Sequence, residues 1–169
     1  MGVARLLVVV LATVLATATV SAQRPRDLIN KRITGKVVSV IDGDTVDLLL
    51  PAKRVLRVRL YGVDAPERGE PFSTQARTFT RVLMFSRDVE AVVKDVDAYD
   101  RLVARVSVDG KDASAAILAA GLGCTFHRYV SDAGLDLAQA RARQGHLGFW
   151  ATGAQQPACV ARELRSRRP

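Results

Sequence analysis

Ile33-Thr34-Gly35-Lys36-Val37-Val38-Ser39-Val40-Ile41 runs into Asp42-Gly43-Asp44. Thr45-Val46-Asp47-Leu48-Leu49-Leu50, Pro51-Ala52-Lys53 and Val55-Leu56-Arg57-Val58-Arg59-Leu60 follow. This stretch decides the fold. Its runs are rich in β-branched residues, which suit a pleated, half-buried surface. Asp, Gly and Pro separate them with turn chemistry. In the third run Val55, Arg57 and Arg59 alternate with Leu56, Val58 and Leu60, the period of two that a strand imposes. Strands are therefore predicted over 33–41, 45–50 and 55–60. The first two form a hairpin, with Gly43 free to take a positive φ. Val63-Asp64-Ala65-Pro66-Glu67 ends the third.

Downstream the period changes. Ala76, Phe79, Val82, Leu83 and Phe85 recur at helical spacing within 73–86, with Ser73 or Thr74 as the expected cap. Two more strands are predicted over 89–93 and 102–108, with a turn at Asp109-Gly110. A short helix over 112–120 stops at Gly121, and a last one over 135–144 stops at Gly145. The order is three strands, helix, two strands, helix, helix. It predicts a mainly β fold with α: a five-stranded OB-fold barrel with three helices, one of them between the third and fourth strands.

The chain divides into three parts. Residues 1–22 carry a basic start at Arg5, an uncharged run from Leu6 to Val20 and a small-residue exit at Ser21-Ala22, the layout of a signal peptide cleaved after Ala22. Residues 23–151 make one domain. Residues 152–169 form a basic C-terminal tail with Arg162, Arg165, Arg167 and Arg168, read as a solvated, disordered end. The expected product is exported, periplasmic or secreted, with no membrane segment after cleavage. It is expected to be a monomer without a stable protein partner. Cys124 and Cys159 leave two options in an oxidising compartment: a disulfide tying the tail to the body, or a buried Cys124 beside a loose Cys159.

The formal net charge of +8 points to a polyanionic partner, either nucleic acid or an anionic lipid or polysaccharide. Asp42, Asp44 and Asp47 cluster on the first hairpin; Asp64 and Glu67 follow the third strand. Asp42 is explained by Asx-turn geometry. Asp44 and Asp64 either cap turns or converge as hard-oxygen ligands suited to calcium or magnesium. Arg59 and Arg101 carry planar forks that match phosphate oxygens, and a nearby carboxylate such as Glu67 can accept a proton from water.

Three stretches carry a joint pattern: Val40-Ile41-Asp42-Gly43-Asp44-Thr45-Val46, Arg59-Leu60-Tyr61-Gly62-Val63-Asp64-Ala65-Pro66-Glu67 and Tyr99-Asp100-Arg101. With Gly121-Leu122 and Leu147-Gly148-Phe149-Trp150 they resemble the staphylococcal nuclease family over residues 33–151. The resemblance implies a calcium-dependent nuclease acting on DNA and RNA with low sequence specificity and leaving 3′-phosphate ends. It implies Asp44, Asp64 and the Ala65 carbonyl as Ca2+ ligands. Arg59 and Arg101 would hold the scissile phosphate, and Glu67 would orient or deprotonate water. Tyr99 and Tyr129 would contact the nucleotide, while His127, where the type member has a tyrosine, is read as a surface or partly buried histidine. Two departures stand out. The segment from Glu67 to Phe72 is much shorter than the corresponding loop, and Ala98 replaces a lysine beside Tyr99.

Two other classes compete. A non-catalytic OB-fold module would bind nucleic acid without cutting it. An exported calcium-binding or envelope protein would explain the charge and the aspartates, but gives no reason for Arg59, Glu67 and Arg101 together.

Overall fold

A computed structural model describes residues 24–51, 53–126 and 130–166. The expected signal peptide, His127 and Tyr129 lie outside the described residues. The chain forms β1 (Arg32–Val40), β2 (Thr45–Leu49), β3 (Val55–Leu60), the two-residue β4 (Val63–Asp64), α1 (Ser73–Met84), β5 (Asp88–Val96) and β6 (Leu102–Val108). It continues through β7 (Lys111–Asp112), α2 (Ala113–Ala119), β8 (Cys124–Thr125), α3 (Ala133–Gln144) and α4 (Ala158–Ser166). No helix of the described residues is long and apolar enough to cross a membrane.

The strands run in the order β3-β2-β1-β5-β6, and β3 pairs with β6 to close the ring. That last pairing is parallel, with Val58 opposite Leu102 and Arg59 opposite Val103. The other four pairings of the ring are antiparallel. This is a five-stranded OB-fold barrel, as the strand pattern predicts. Alternation fills it: β6 buries Leu102, Ala104, Val106 and Val108, while the residues between them are only half-buried. Val37, Leu48, Val58 and Val93 meet them from other strands. Met84 of α1 and Ile117 and Leu118 of α2 seal the same core.

Two local expectations fail for identifiable reasons. α1 has no Ser or Thr cap; Phe72 holds that position in the left-handed region at φ 65°, without a capping side chain. Its ring packs edge-on against Phe149, with centroids 6.0 Å apart, so packing fixes this turn. Gly43 does not take a positive φ. It is glycine because a Cβ there would lie 2.6 Å from Ala65 Cβ and 2.8 Å from Ala76 Cβ. α3 stops at Gly145 as expected, with Gly145 at φ −82° and His146 at φ 52°.

The largest correction is at the C-terminus. Residues 158–166 of the expected tail form α4. Cys159 and Val160 bury their side chains in a small second core with Cys124 and Phe149, flanked by Phe72 and Trp150. Cys124 and Cys159 are joined in a disulfide, with Cα atoms 5.9 Å apart.

Candidate active site

The β1–β2 turn carries Asp44 into the barrel end. Asp42 Oδ1 accepts from the Asp44 N–H at 3.0 Å, the Asx turn expected of Asp42. Thr80 Oγ1 of α1 donates to the Gly43 carbonyl at 2.6 Å, and the Leu60 N–H donates to the Asp44 carbonyl at 2.8 Å. The turn is thus fastened to a helix and to β3. Asp44 is only 3 % exposed and Asp64, on β4, only 4 %.

Arg59 joins the two carboxylates. Its Nη1 donates to Asp44 Oδ1 at 3.1 Å and its Nη2 to Asp64 Oδ1 at 3.3 Å. Thr45 Oγ1 also donates to Asp44 Oδ1, at 3.0 Å, and the Ala65 N–H donates to Asp44 Oδ2 at 2.8 Å. Burial pushes the Asp44 carboxyl up to about 7, and the charges of Asp42 and Asp64 push the same way. Arg59 and the Ala65 N–H pull it down without cancelling the rise. Burial opposes the Arg59 charge, yet Asp44, Asp64 and Asp42 together hold that guanidinium above its ordinary value.

Arg101 reaches the same end of the barrel through the parallel β3–β6 ladder, since it immediately precedes Leu102, the partner of Val58. Its Nε donates to Asp97 Oδ2 at 2.7 Å. Asp97 Oδ1 accepts from the backbone N–H groups of Tyr99 and Arg101, at 2.9 and 3.0 Å. Burial works against the Asp97 charge, but these bonds hold its carboxyl below the usual carboxylate range. The Tyr99 ring is 81 % exposed, and the Arg101 guanidinium carbon lies 5.4 Å from its centroid. Arg59, Tyr61, Lys94, Tyr99, Arg101 and Phe126 line one cleft of ≈ 810 Å³. That size suits a nucleotide-scale ligand.

The structure therefore brings Asp44, Arg59, Asp64 and Ala65 into direct contact and sets Arg101 and Tyr99 along the cleft that Arg59 lines. Glu67 stands apart from this contact set. It is exposed, three residues beyond Asp64, and its N–H donates to Glu70 Oε2 at 3.1 Å. Sequence reasoning missed two residues here. Thr80, a buried polar residue inside a helix, anchors the Gly43 carbonyl. Arg162 of α4 donates from Nε to Asp64 Oδ2 at 2.7 Å and lies 3.7 Å from Glu70 Oε1. The available signal was the Cys124–Cys159 pair, which would have brought the tail to β8.

Among the described residues no three His, Cys, Asp or Glu side chains form a ready metal cage. The donor set still fits a hard cation. Two buried carboxylates and the adjacent backbone carbonyls are oxygen donors, and a cation held by one or two carboxylates keeps waters for its other positions. Burial is the main cause of the raised Asp44 carboxyl, and the charges of Asp42 and Asp64 add to it. Extra positive charge would be stabilised there.

The model for the staphylococcal nuclease homologue family matches residues 57–152. A micrococcal nuclease of Shigella flexneri is 32 % identical over 135 residues, covering 73 % of this chain and 77 % of the relative. Protein ParB of Escherichia coli is 34 % identical over 148 residues, covering 80 % and 83 %. An uncharacterized endonuclease of Escherichia coli O157:H7 is 28 % identical over 134 residues, covering 79 % and 87 %.

Proposed function

We propose that this chain, which belongs to the family of staphylococcal nuclease homologues, is an exported, calcium-dependent nuclease that hydrolyses phosphodiester bonds of DNA and RNA. The observation that carries the reading is the Arg59 guanidinium, which bridges the buried Asp44 and Asp64 and lines one cleft with Arg101. Relatives bearing nuclease names support the reaction class. Pairing of Cys124 with Cys159 supports export to an oxidising compartment.

Asp44, Asp64 and the Ala65 carbonyl would hold the calcium ion. When bound, the ion neutralises charge on the phosphate oxygens. Arg59 and Arg101 grip those oxygens with bidentate forks and favour the charge that builds during in-line attack. Glu67, exposed to water, orients the nucleophile and accepts its proton. The water oxygen bonds to phosphorus as its proton passes to Glu67, the bond to the 5′ oxygen breaks, and that oxygen takes a proton from solvent, leaving a 3′-phosphate and a 5′-hydroxyl. Phosphate contacts carry no base information, so sequence choice is weak. Tyr99, exposed beside Arg101, offers its face to a base or sugar.

The test is cleavage of single-stranded DNA with calcium and then with chelator, beside Glu67→Ser and Arg101→Ala. Calcium-dependent cutting that each substitution lowers by orders of magnitude is expected. A wild-type chain that binds DNA without cutting it would establish the non-catalytic module instead.

A further inference from the structure

The β4–β8 ladder sets Asp64 directly opposite Cys124. Cys124 is bonded to Cys159 on α4, and Arg162 lies one helical turn after Cys159, on the same face. One turn of α4 therefore lies across a single rung of the ladder, with Cys159 bonded to Cys124 on β8 and Arg162 bonded to Asp64 on β4. The disulfide places Arg162 Nε 2.7 Å from Asp64 Oδ2, the oxygen that Arg59 does not use.

We propose that Arg162 is a tethered cation that holds the Asp64 side of the metal site, so that a divalent cation binds only by displacing it, and that the Cys124–Cys159 bond keeps it there. This inference rests on the metal-site reading above. Two observations carry it. The guanidinium makes one short charged bond to Asp64 and a long 3.7 Å pair to Glu70. Its Nη2 is buried without a hydrogen-bond partner among the described residues. A buried, unsatisfied donor carries a desolvation penalty, so the resting pose is one the side chain can leave at modest cost. The guanidinium thus lies against Asp64, one of the carboxylates that would serve the cation.

Displacement has a measurable cost. A hydrogen bond to a charged group corresponds to roughly a tenfold to hundredfold change in an equilibrium. The tether adds to it, because a group held at high effective concentration competes better than one free in solution. Removing the charge should therefore tighten cation binding.

The experiment is calorimetric titration of calcium chloride into the disulfide-bonded full chain, without nucleic acid. The same titration is run on Arg162→Gln, on Arg162→Lys and on the Cys124→Ala/Cys159→Ala pair, with circular dichroism checking the fold of each. Arg162→Gln is expected to bind calcium at least tenfold more tightly than wild type. Arg162→Lys should stay within about threefold of wild type, because its charge remains. The cysteine pair should approach Arg162→Gln, and it serves as the second route should that variant fold poorly. If wild type binds calcium and Arg162→Gln binds it equally or more weakly, the proposal falls while the metal site stands. If neither binds calcium, the proposal and the metal-site reading fall together.

Discussion

Gly43→Ala adds one methyl group at the most confined point of the site. The new Cβ would sit 2.6 Å from Ala65 Cβ and 2.8 Å from Ala76 Cβ. Carbon atoms rest about 3.5–4.0 Å apart, so a displacement of about 1 Å is required. Neither neighbour can rotate away, since each is a methyl fixed to buried backbone, at 3 % and 0 % exposure. The strain therefore falls on the β1–β2 turn and on the Asp64–Ala65 segment, the two pieces that carry the proposed metal ligands. Overpacking of this kind costs about 1–3 kcal/mol, which in a domain of this size lowers Tm by roughly 2–12 °C. Activity should fall further than stability, because a misplacement near 1 Å can cost about a hundredfold in rate. The assay pairs scanning calorimetry with initial rates of DNA cleavage at 25 °C, where the variant remains folded. The double variant Gly43→Ala/Ala65→Gly moves the methyl from one side of the contact to the other and should recover much of both losses. A Gly43→Ala protein with wild-type Tm and rate would refute the steric account. So would a double variant no better than the single one.

Other consequences are open to direct measurement. Arg59→Ala strips two buried carboxylates of their shared partner. It should cost about 3–5 kcal/mol in urea unfolding at pH 8 and less at pH 6, where Asp44 takes up a proton. The Asp44 carboxyl is raised to about 7 from an ordinary 3.8, so its contribution to stability is complete below 3.8 and is lost as pH rises through 7. Metal-free protein should accordingly lose stability between pH 4 and 8 and regain it with calcium; a flat profile without metal would contradict this. Asp97, held below the same 3.8, has the opposite sign: its contribution is present above 3.8 and is lost on acidification below it. Asp97→Asn should flatten that acid limb and, by loosening Arg101, lower the cleavage rate. Reduction of Cys124–Cys159, a link across 35 residues, should cost about 4 kcal/mol by the chain-entropy model, visible as a lower Tm in dithiothreitol.

Much of this molecule is legible in its sequence because local rules and tertiary structure agree in the barrel. β3 shows the period of two and spans Val55–Leu60 as read; β6 spans Leu102–Val108 as read. Asp42 forms the turn its side chain favours. Asp44 and Asp64 converge on Arg59, one of the two outcomes their sequence positions left open. What escaped was set by distant partners. Gly43 is dictated by two methyl groups from β4's end and α1, not by its own φ. Phe72 starts α1 without a polar cap because its ring is held by Phe149. α4 has too little apolar surface to announce itself: Cys159 and Val160 are buried but Leu164 is exposed. Its position depends on a covalent bond that spacing alone left open, and Arg162 went unseen with it. Glu70, which takes the Glu67 N–H and lies near Arg162, was hidden in a segment noted only for being short.

Closure of the barrel between residues 58–60 and 102–104 is the pairing that seats Arg59 and Arg101 at one cleft. Contacts so far apart in sequence carry a large loop-closure cost and form slowly relative to hairpins. The β1–β2–β3 meander and the β5–β6 hairpin can each assemble from local contacts, but neither alone holds both arginines. A refolding chain should therefore regain strand content before it regains the power to cut. The delay between far-ultraviolet dichroism and DNA cleavage then becomes a clock for ring closure, read out by the active site itself.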